Sequence, residues 1–261
     1  MRTIIIASGK GGVGKTSIAV NLGIALSQMG KRVIVVDADV SMANVGIILG
    51  IDRAPISLHN VLMGEVNIRD AVYEGPGKVK YVPSSLSLER VKKMVLEKFP
   101  DAIKDLEPVA DYVLIDCPPG VDRMVEAAIS AAKEMIVIVT PDPASLADAM
   151  KIISFASKKG VATVGFIENM VLNDKSEIKK EEIETMLSMK MIHAIPEDIE
   201  VRRAAAVQVP FIIRNPNSPA SREIRVLAGR ITGEQIKVEQ KVRKGFFASL
   251  MEAIFGKKKQ Q

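Results

Sequence analysis

Short apolar runs recur along the chain, and segments of helical period lie between them. The runs at residues 3–8, 32–36, 79–82, 112–115, 135–140, 162–167 and 191–194 are rich in Ile and Val and do not alternate with polar residues. Strands of that kind are covered on both faces, as in a parallel sheet. Helical patterns are predicted at about 17–29, 86–98, 122–132, 145–158, 176–189 and 219–231. Gly30 and Gly160 stand where the first helix and the helix over 145–158 should stop. Strands and helices taking turns along a chain predict an α/β, doubly wound, mostly parallel sheet with helices on both faces. No Pro/Gly-rich linker or internal repeat divides the body, so residues 1–236 are read as one domain and 237–261 as a tail.

Composition changes this picture only at the C-terminus. The chain has 36 basic and 31 acidic residues, and 48% of it is hydrophobic. Seven bases and two acids lie in residues 237–261, which leaves 29 of each before them. The whole charge of +5 therefore belongs to the tail, and the neutral body argues against nucleic acid as a partner. A single cysteine, Cys117, excludes an intrachain disulfide and any Cys-x-x-Cys site. Met1-Arg2 leads straight into a strand, with no secretory signal and no apolar stretch long enough to span a bilayer. A cytoplasmic protein is expected.

The first run opens directly into Gly9-Lys10-Gly11-Gly12-Val13-Gly14-Lys15-Thr16, and a helical pattern starts at Ser17. This is a phosphate-binding loop in the context it requires, strand before and helix after. Its backbone N–H groups and the helix N-terminus favour an anion. Lys15 can reach terminal phosphates, and the Thr16 hydroxyl can ligate Mg²⁺. Nucleotide contacts are assigned to Gly9, Lys10, Gly11, Gly12, Val13, Gly14, Lys15, Thr16 and Ser17. In sheets of this kind ligands bind beyond the carboxyl ends of the strands. Asp37 and Asp39 follow the second run and Asp116 the fourth, so three acids converge on that edge as candidates to hold the metal or its waters.

The string from Lys10 to Thr16, with its extra lysine near the start, resembles the deviant Walker A motif. Together with Val36-Asp37-Ala38-Asp39 and Leu114-Ile115-Asp116-Cys117-Pro118-Pro119-Gly120 it is similar to the MinD/ParA group of ATPases. Met42-Ala43-Asn44, Leu49-Gly50, Leu58-His59-Asn60-Val61-Leu62 and Pro196-Glu197-Asp198 with Val201-Arg202-Arg203-Ala204 are most similar to archaeal MinD-like proteins. The resemblance implies a slow, activator-dependent ATPase that uses ATP and Mg²⁺ and forms a homodimer when ATP-bound. It implies catalytic roles for Lys10, Lys15 and Asp39, with Lys10 reaching the partner's phosphates and Asp39 positioning the attacking water. It implies that Thr16, Asp37, Asp39 and Asp116 serve the metal. Asn169, after a strand, and the loop of Pro196, Glu197 and Asp198 correspond to the adenine contacts. Many MinD proteins have Asn-Arg where this chain has Asn169-Met170. That departure is similar to iron–sulfur carriers of the Mrp type, whose C-terminal Cys-x-x-Cys one cysteine cannot supply.

Residues 245–256 set Phe246, Phe247, Leu250, Met251, Ile254 and Phe255 on one half of a helical wheel, with bases on either side. That pattern predicts a helix lying in an anionic membrane surface, and MinD proteins end in a similar one. Docking of this helix on the protein's own core or on another subunit is the alternative. The functional expectation is a spatial regulator of the division site or of another polar assembly, peripheral on the inner face of the cell membrane. An activator or cargo protein remains to be identified. A DNA-partitioning ATPase of the ParA kind is the second reading and a cluster carrier the third.

Overall fold

The computed structural model describes residues 1–51, 54–85 and 91–234. The helix expected over 245–256, with Phe246, Phe247, Leu250, Met251, Ile254 and Phe255, lies outside the described residues. Eight strands form one sheet: β1 (Arg2–Ala7), β2 (Val33–Asp37), β3 (Tyr73–Glu74), β4 (Lys80–Val82), β5 (Tyr112–Asp116), β6 (Glu134–Val139), β7 (Ala162–Val171) and β8 (Met191–Pro196). Their order is β3-β4-β2-β5-β1-β6-β7-β8. The β3–β4 pair is antiparallel and every other pair is parallel.

The unbroken apolar runs have a simple cause. In β1, Ile4 and Ile6 enter one core while Ile5 and Ala7 enter the other; in β2, Val33 and Val35 divide from Ile34 and Val36 in the same way. The middles of these strands are covered above and below, and polar residues such as Arg2 and Asp37 stand only at their ends. One face is covered by α1 (Lys15–Gln28) and the C-terminal helix, the other by helices following β5 and β6. Among the described residues no helix is long and apolar enough to cross a membrane.

All seven expected strands are present. The two-residue edge strand β3 was not foreseen, and neither were the short helices α2 (Val45–Ile48) and α3 (Leu58–Met63). Pieces this short contain too few turns to show a period. Of the helix expected over 86–98, residues 86–90 lie outside the described residues and Val91 is helical. The expectation is corrected only beyond it, where turns and a 3-10 turn at Leu96–Lys98 lead into a separate helix, α4 (Phe99–Lys104). Pro100 sits in its first turn, where a missing N–H costs nothing, so the proline starts this helix instead of stopping the one before. Next come α5 (Arg123–Ser130), α6 (Pro143–Lys158) and α7 (Lys180–Leu187). The last begins later than residue 176 because Glu177 accepts from the N–H groups of Leu172 and Asp174, closing a turn ahead of it. The described residues finish with α8 (Ile199–Ala206), α9 (Phe211–Arg214) and α10 (Pro219–Thr232).

Candidate functional site

Gly14 joins the phosphate loop to α1 with a left-handed φ of 88°, which favours glycine. Gly9 meets a different limit: a Cβ there would enter the backbone of Asp148 on α6. Ser8 Oγ donates to the Lys10 carbonyl at 2.6 Å and braces the start of the loop. Strand, loop and helix thus stand in the order expected, with the loop at the carboxyl end of the central strand.

The acids converge there as well. Asp37 and Asp116 are register partners on adjacent strands, and Asp39 follows two residues later. Their surroundings differ. Asp37 is fully buried and accepts the backbone N–H groups of Asp39, Asn44 and Val45 at 3.1–3.2 Å, so it shapes its own loop and caps α2. Burial pushes its carboxyl well above the usual range, and the neighbouring Asp116 adds to this. Asp39 accepts from Met42 N at 2.9 Å and is raised by burial. Asp116 is fully buried, and neither carboxylate oxygen has a hydrogen-bond partner. Burial raises its pKa to about 7, against the weaker opposing pulls of the Thr16 hydroxyl and Lys15. Lys15 is itself 93% buried; desolvation lowers its pKa, and Asp116 is the foremost group opposing that.

An orphaned, desolvated carboxylate next to a lysine and a threonine hydroxyl suits a hard cation with its water shell. Among the described residues no three His, Cys, Asp or Glu side chains form a closed metal cage. A protein site of one hydroxyl and one or two carboxylates is what Mg²⁺ accepts when phosphate oxygens and waters complete the octahedron.

Beside the loop opens a cleft whose walls include Ser17, Asn169, Pro196 and Glu197. Asn169 was expected after a strand and instead lies within β7, which runs on to Val171 through a bulge between Glu168 and Val171. Its Nδ2 donates to the Val13 carbonyl at 2.8 Å. Pro196 ends β8. Asp198, counted with the base loop, caps α8 through Glu200 N at 2.9 Å and reaches Ala220 N of α10 at 3.0 Å. It lines the cleft and joins two helices there.

Lys10 lies at the rim, its side chain 43% exposed, with Nζ 3.3 Å from Asp142 Oδ1. Asp142 was missed by sequence reasoning, although an Asp directly before Pro143 is a helix-start signal. It caps α6 through Ser145 N at 3.0 Å. Asp122, which caps α5 through Val125 N at 2.9 Å, was missed in the same way. Apolar walls of the cleft such as Ile195 and Phe211 carry no motif.

Two family models match the chain: the AAA domain over residues 1–165, and the 4Fe-4S iron sulfur cluster binding proteins, NifH/frxC family, over residues 110–255. The second name refers to cluster binding, whereas the only cysteine of this chain is buried in the core. An uncharacterised ATP-binding protein of Methanocaldococcus jannaschii is 40% identical, over 98% of this chain and 97% of that one. The septum site-determining protein MinD of Bacillus subtilis is 31% identical over 97% of each. The MinD of Pyrococcus horikoshii, solved as a complex with Mg-ADP, matches with a TM-score of 0.84 and 35% identity, covering 88% of this chain and 95% of that one. Similarity of this extent runs through the whole body and not the phosphate loop alone, and the chain belongs to the MinD/ParA family of P-loop ATPases.

Proposed function

We propose that this chain is a switch driven by Mg²⁺-ATP: ATP binding pairs two copies, the pair holds a membrane through its tails, and slow hydrolysis undoes both. The observation that carries this reading is the buried, partnerless carboxylate of Asp116 next to Lys15 and Thr16 under the phosphate loop. Gly9 to Ser17 cradle the phosphates and Lys15 neutralises them. Thr16 and Asp116 hold Mg²⁺ and its waters, with Asp39 close by and Asp37 keeping the loop between them in shape. When bound, the ion supplies charge neutralisation at the phosphates. Asp39, lifted by burial, accepts a hydrogen bond from the attacking water and orients it. The base enters the cleft beside Asn169, Pro196 and Glu197, and Asp198, in the same wall, fixes it to α8 and α10.

Lys10 is suited to act on a second copy. An exposed pair at 3.3 Å with Asp142 is worth about 1 kcal/mol at most, so letting go of it costs little. A second cation at the phosphates of the partner would stabilise charge in the transition state. The tail joins this scheme through its charge and its apolar face. Each base near an anionic surface contributes about 1 kcal/mol, and pairing two tails raises avidity by about 10² to 10⁴. The task supported by these relationships is positional, at the division site or another polar assembly, with a protein activator or cargo as partner.

Sedimentation with anionic phosphatidylglycerol liposomes tests the scheme. The intact chain is expected to pellet with ATP and to stay in solution with ADP or without nucleotide, and a chain ending at Gln240 to stay in solution throughout. Equal pelleting of all samples would remove the switch. ATP-dependent, salt-sensitive DNA binding that survives tail removal would replace the membrane with DNA.

A further inference from the structure

Asn169 stands where a base contact is expected, yet its amide nitrogen faces the protein. Nδ2 donates a 2.8 Å bond to the Val13 carbonyl, 156 residues away in sequence. A carbonyl oxygen only accepts, so the nitrogen and not the oxygen of the amide must point at it. Val13 lies between Gly12 and Gly14, both at positive φ. A loop that turns its N–H groups toward one anion turns carbonyls the other way, and those need partners. Asn169, 92% buried, supplies one from the wall of the cleft. Gly14 completes the arrangement, because a Cβ there would run into the same amide nitrogen. The bulge in β7, with Met170 at φ 60°, takes this stretch out of regular register with β8.

We propose that Asn169 is a positioning residue for the phosphate loop: it holds the loop in its anion-cradling shape before nucleotide arrives and ties the base cleft to the phosphate cradle. This rests on the reading of the site as an ATP site. A loop already shaped loses less freedom on binding, so the bond favours the phosphates whatever base they carry.

The test uses the full chain with Asn169→Asp, which keeps the shape but sets an acceptor against the carbonyl, and Asn169→Ala. The first measurement is hydrogen exchange of amides 12–17 without nucleotide. Both variants are expected to exchange about tenfold faster there, the factor that loss of one buried hydrogen bond implies. Unchanged rates would overturn the proposal. The second is calorimetric titration with Mg²⁺-pyrophosphate, which has no base. Affinity is expected to fall about tenfold, in step with that for Mg²⁺-ATP. A residue that only reads the base would weaken ATP and spare pyrophosphate, and that outcome also overturns the proposal. If the parent bound neither ligand, the ATP reading would fall while the exchange rates still decided the clamp. Asn169→Ser, too short to reach the Val13 carbonyl and without backbone strain, gives the same exchange test if the other Asn169 variants do not fold; a wild-type pattern there counts against the clamp.

Discussion

Replacing Asp116 by Asn tests the central electrostatic claim. In the folded chain burial raises this carboxyl from an ordinary value of 3.8 to about 7, because it is stripped of water and the Thr16 hydroxyl and Lys15 offset only part of that. Between those values the folded chain holds a proton that the unfolded chain has released. Stability therefore falls as pH rises from about 4 to about 7 and is level above that. From pH 5 to pH 8 this one group removes about 3 kcal/mol. Asparagine does not titrate. It leaves a buried amide without partners, a cost of about 1–3 kcal/mol that is the same at every pH. The variant should therefore be the more stable protein at pH 8 by about 1–3 kcal/mol, and the two curves should meet or cross near pH 5.

The assay is urea unfolding followed by far-ultraviolet circular dichroism, without nucleotide and with a chelator present, at half-unit steps from pH 5 to pH 8. A constant offset between variant and parent across that range would refute the reasoning, since the carboxyl would then titrate alike in both states. Neutralising Asp116 also relieves its register neighbour Asp37, whose pKa it helps to raise, and this adds to the divergence in the same direction. Titration with Mg²⁺-ATP completes the comparison: the more stable variant should be the weaker binder, the pattern of a site that sacrifices stability for function.

Lys15→Ala should weaken Mg²⁺-ATP binding by about 100-fold in calorimetry, the effect of losing a charged hydrogen bond in a buried setting. Lys10→Ala should leave ATP affinity of the single chain within about threefold, since only a surface pair is lost, while light scattering shows no ATP-dependent dimer. Asp198→Ala removes a helix cap and the bond to Ala220 N, and should cost about 2 kcal/mol, read as a melting point lower by about 5 °C.

What could be read from sequence followed the range of the interaction. Parallel strands declare themselves because both faces of each are buried, and the phosphate loop because its glycine spacing is a local steric demand. The acids at 37 and 116 were legible as strand-end residues, although their register pairing belongs to the sheet. Side chains that act across the fold were not legible. Asn169 reaches Val13 over 156 residues and Lys10 reaches Asp142 over 132, and no local pattern encodes either contact. Asp198 looked like loop chemistry because its second partner, Ala220 N, is on another helix. The departure from regular strand geometry that brings Asn169 into β7 is a property of pairing with β6 and β8, not of residues 168–171 alone.

The place where the body ends constrains how ATP could govern the tail. Arg2, at the start of β1, pairs with Glu134 and donates to the Ile231 carbonyl at 2.6 Å, and Lys31 pairs with Glu234. The last described residue is thus pinned at the amino end of the central strand, while the phosphate loop follows its carboxyl end. Six residues of strand separate the two by about 20 Å. A phosphate bound at the loop cannot touch the root of the tail, so in the proposed scheme control passes through pairing of two bodies. In that case the covalent route to the tail is immaterial, and Met1 leaves the body at the same end as Glu234. Residues 235–261 grafted ahead of Met1, on a chain stopping at Glu234, should therefore pellet with anionic liposomes in ATP and not in ADP, as the parent is expected to. If the graft bound vesicles equally in both nucleotides, the signal would have to travel through α10 itself, and avidity would not be the link between ATP and the membrane.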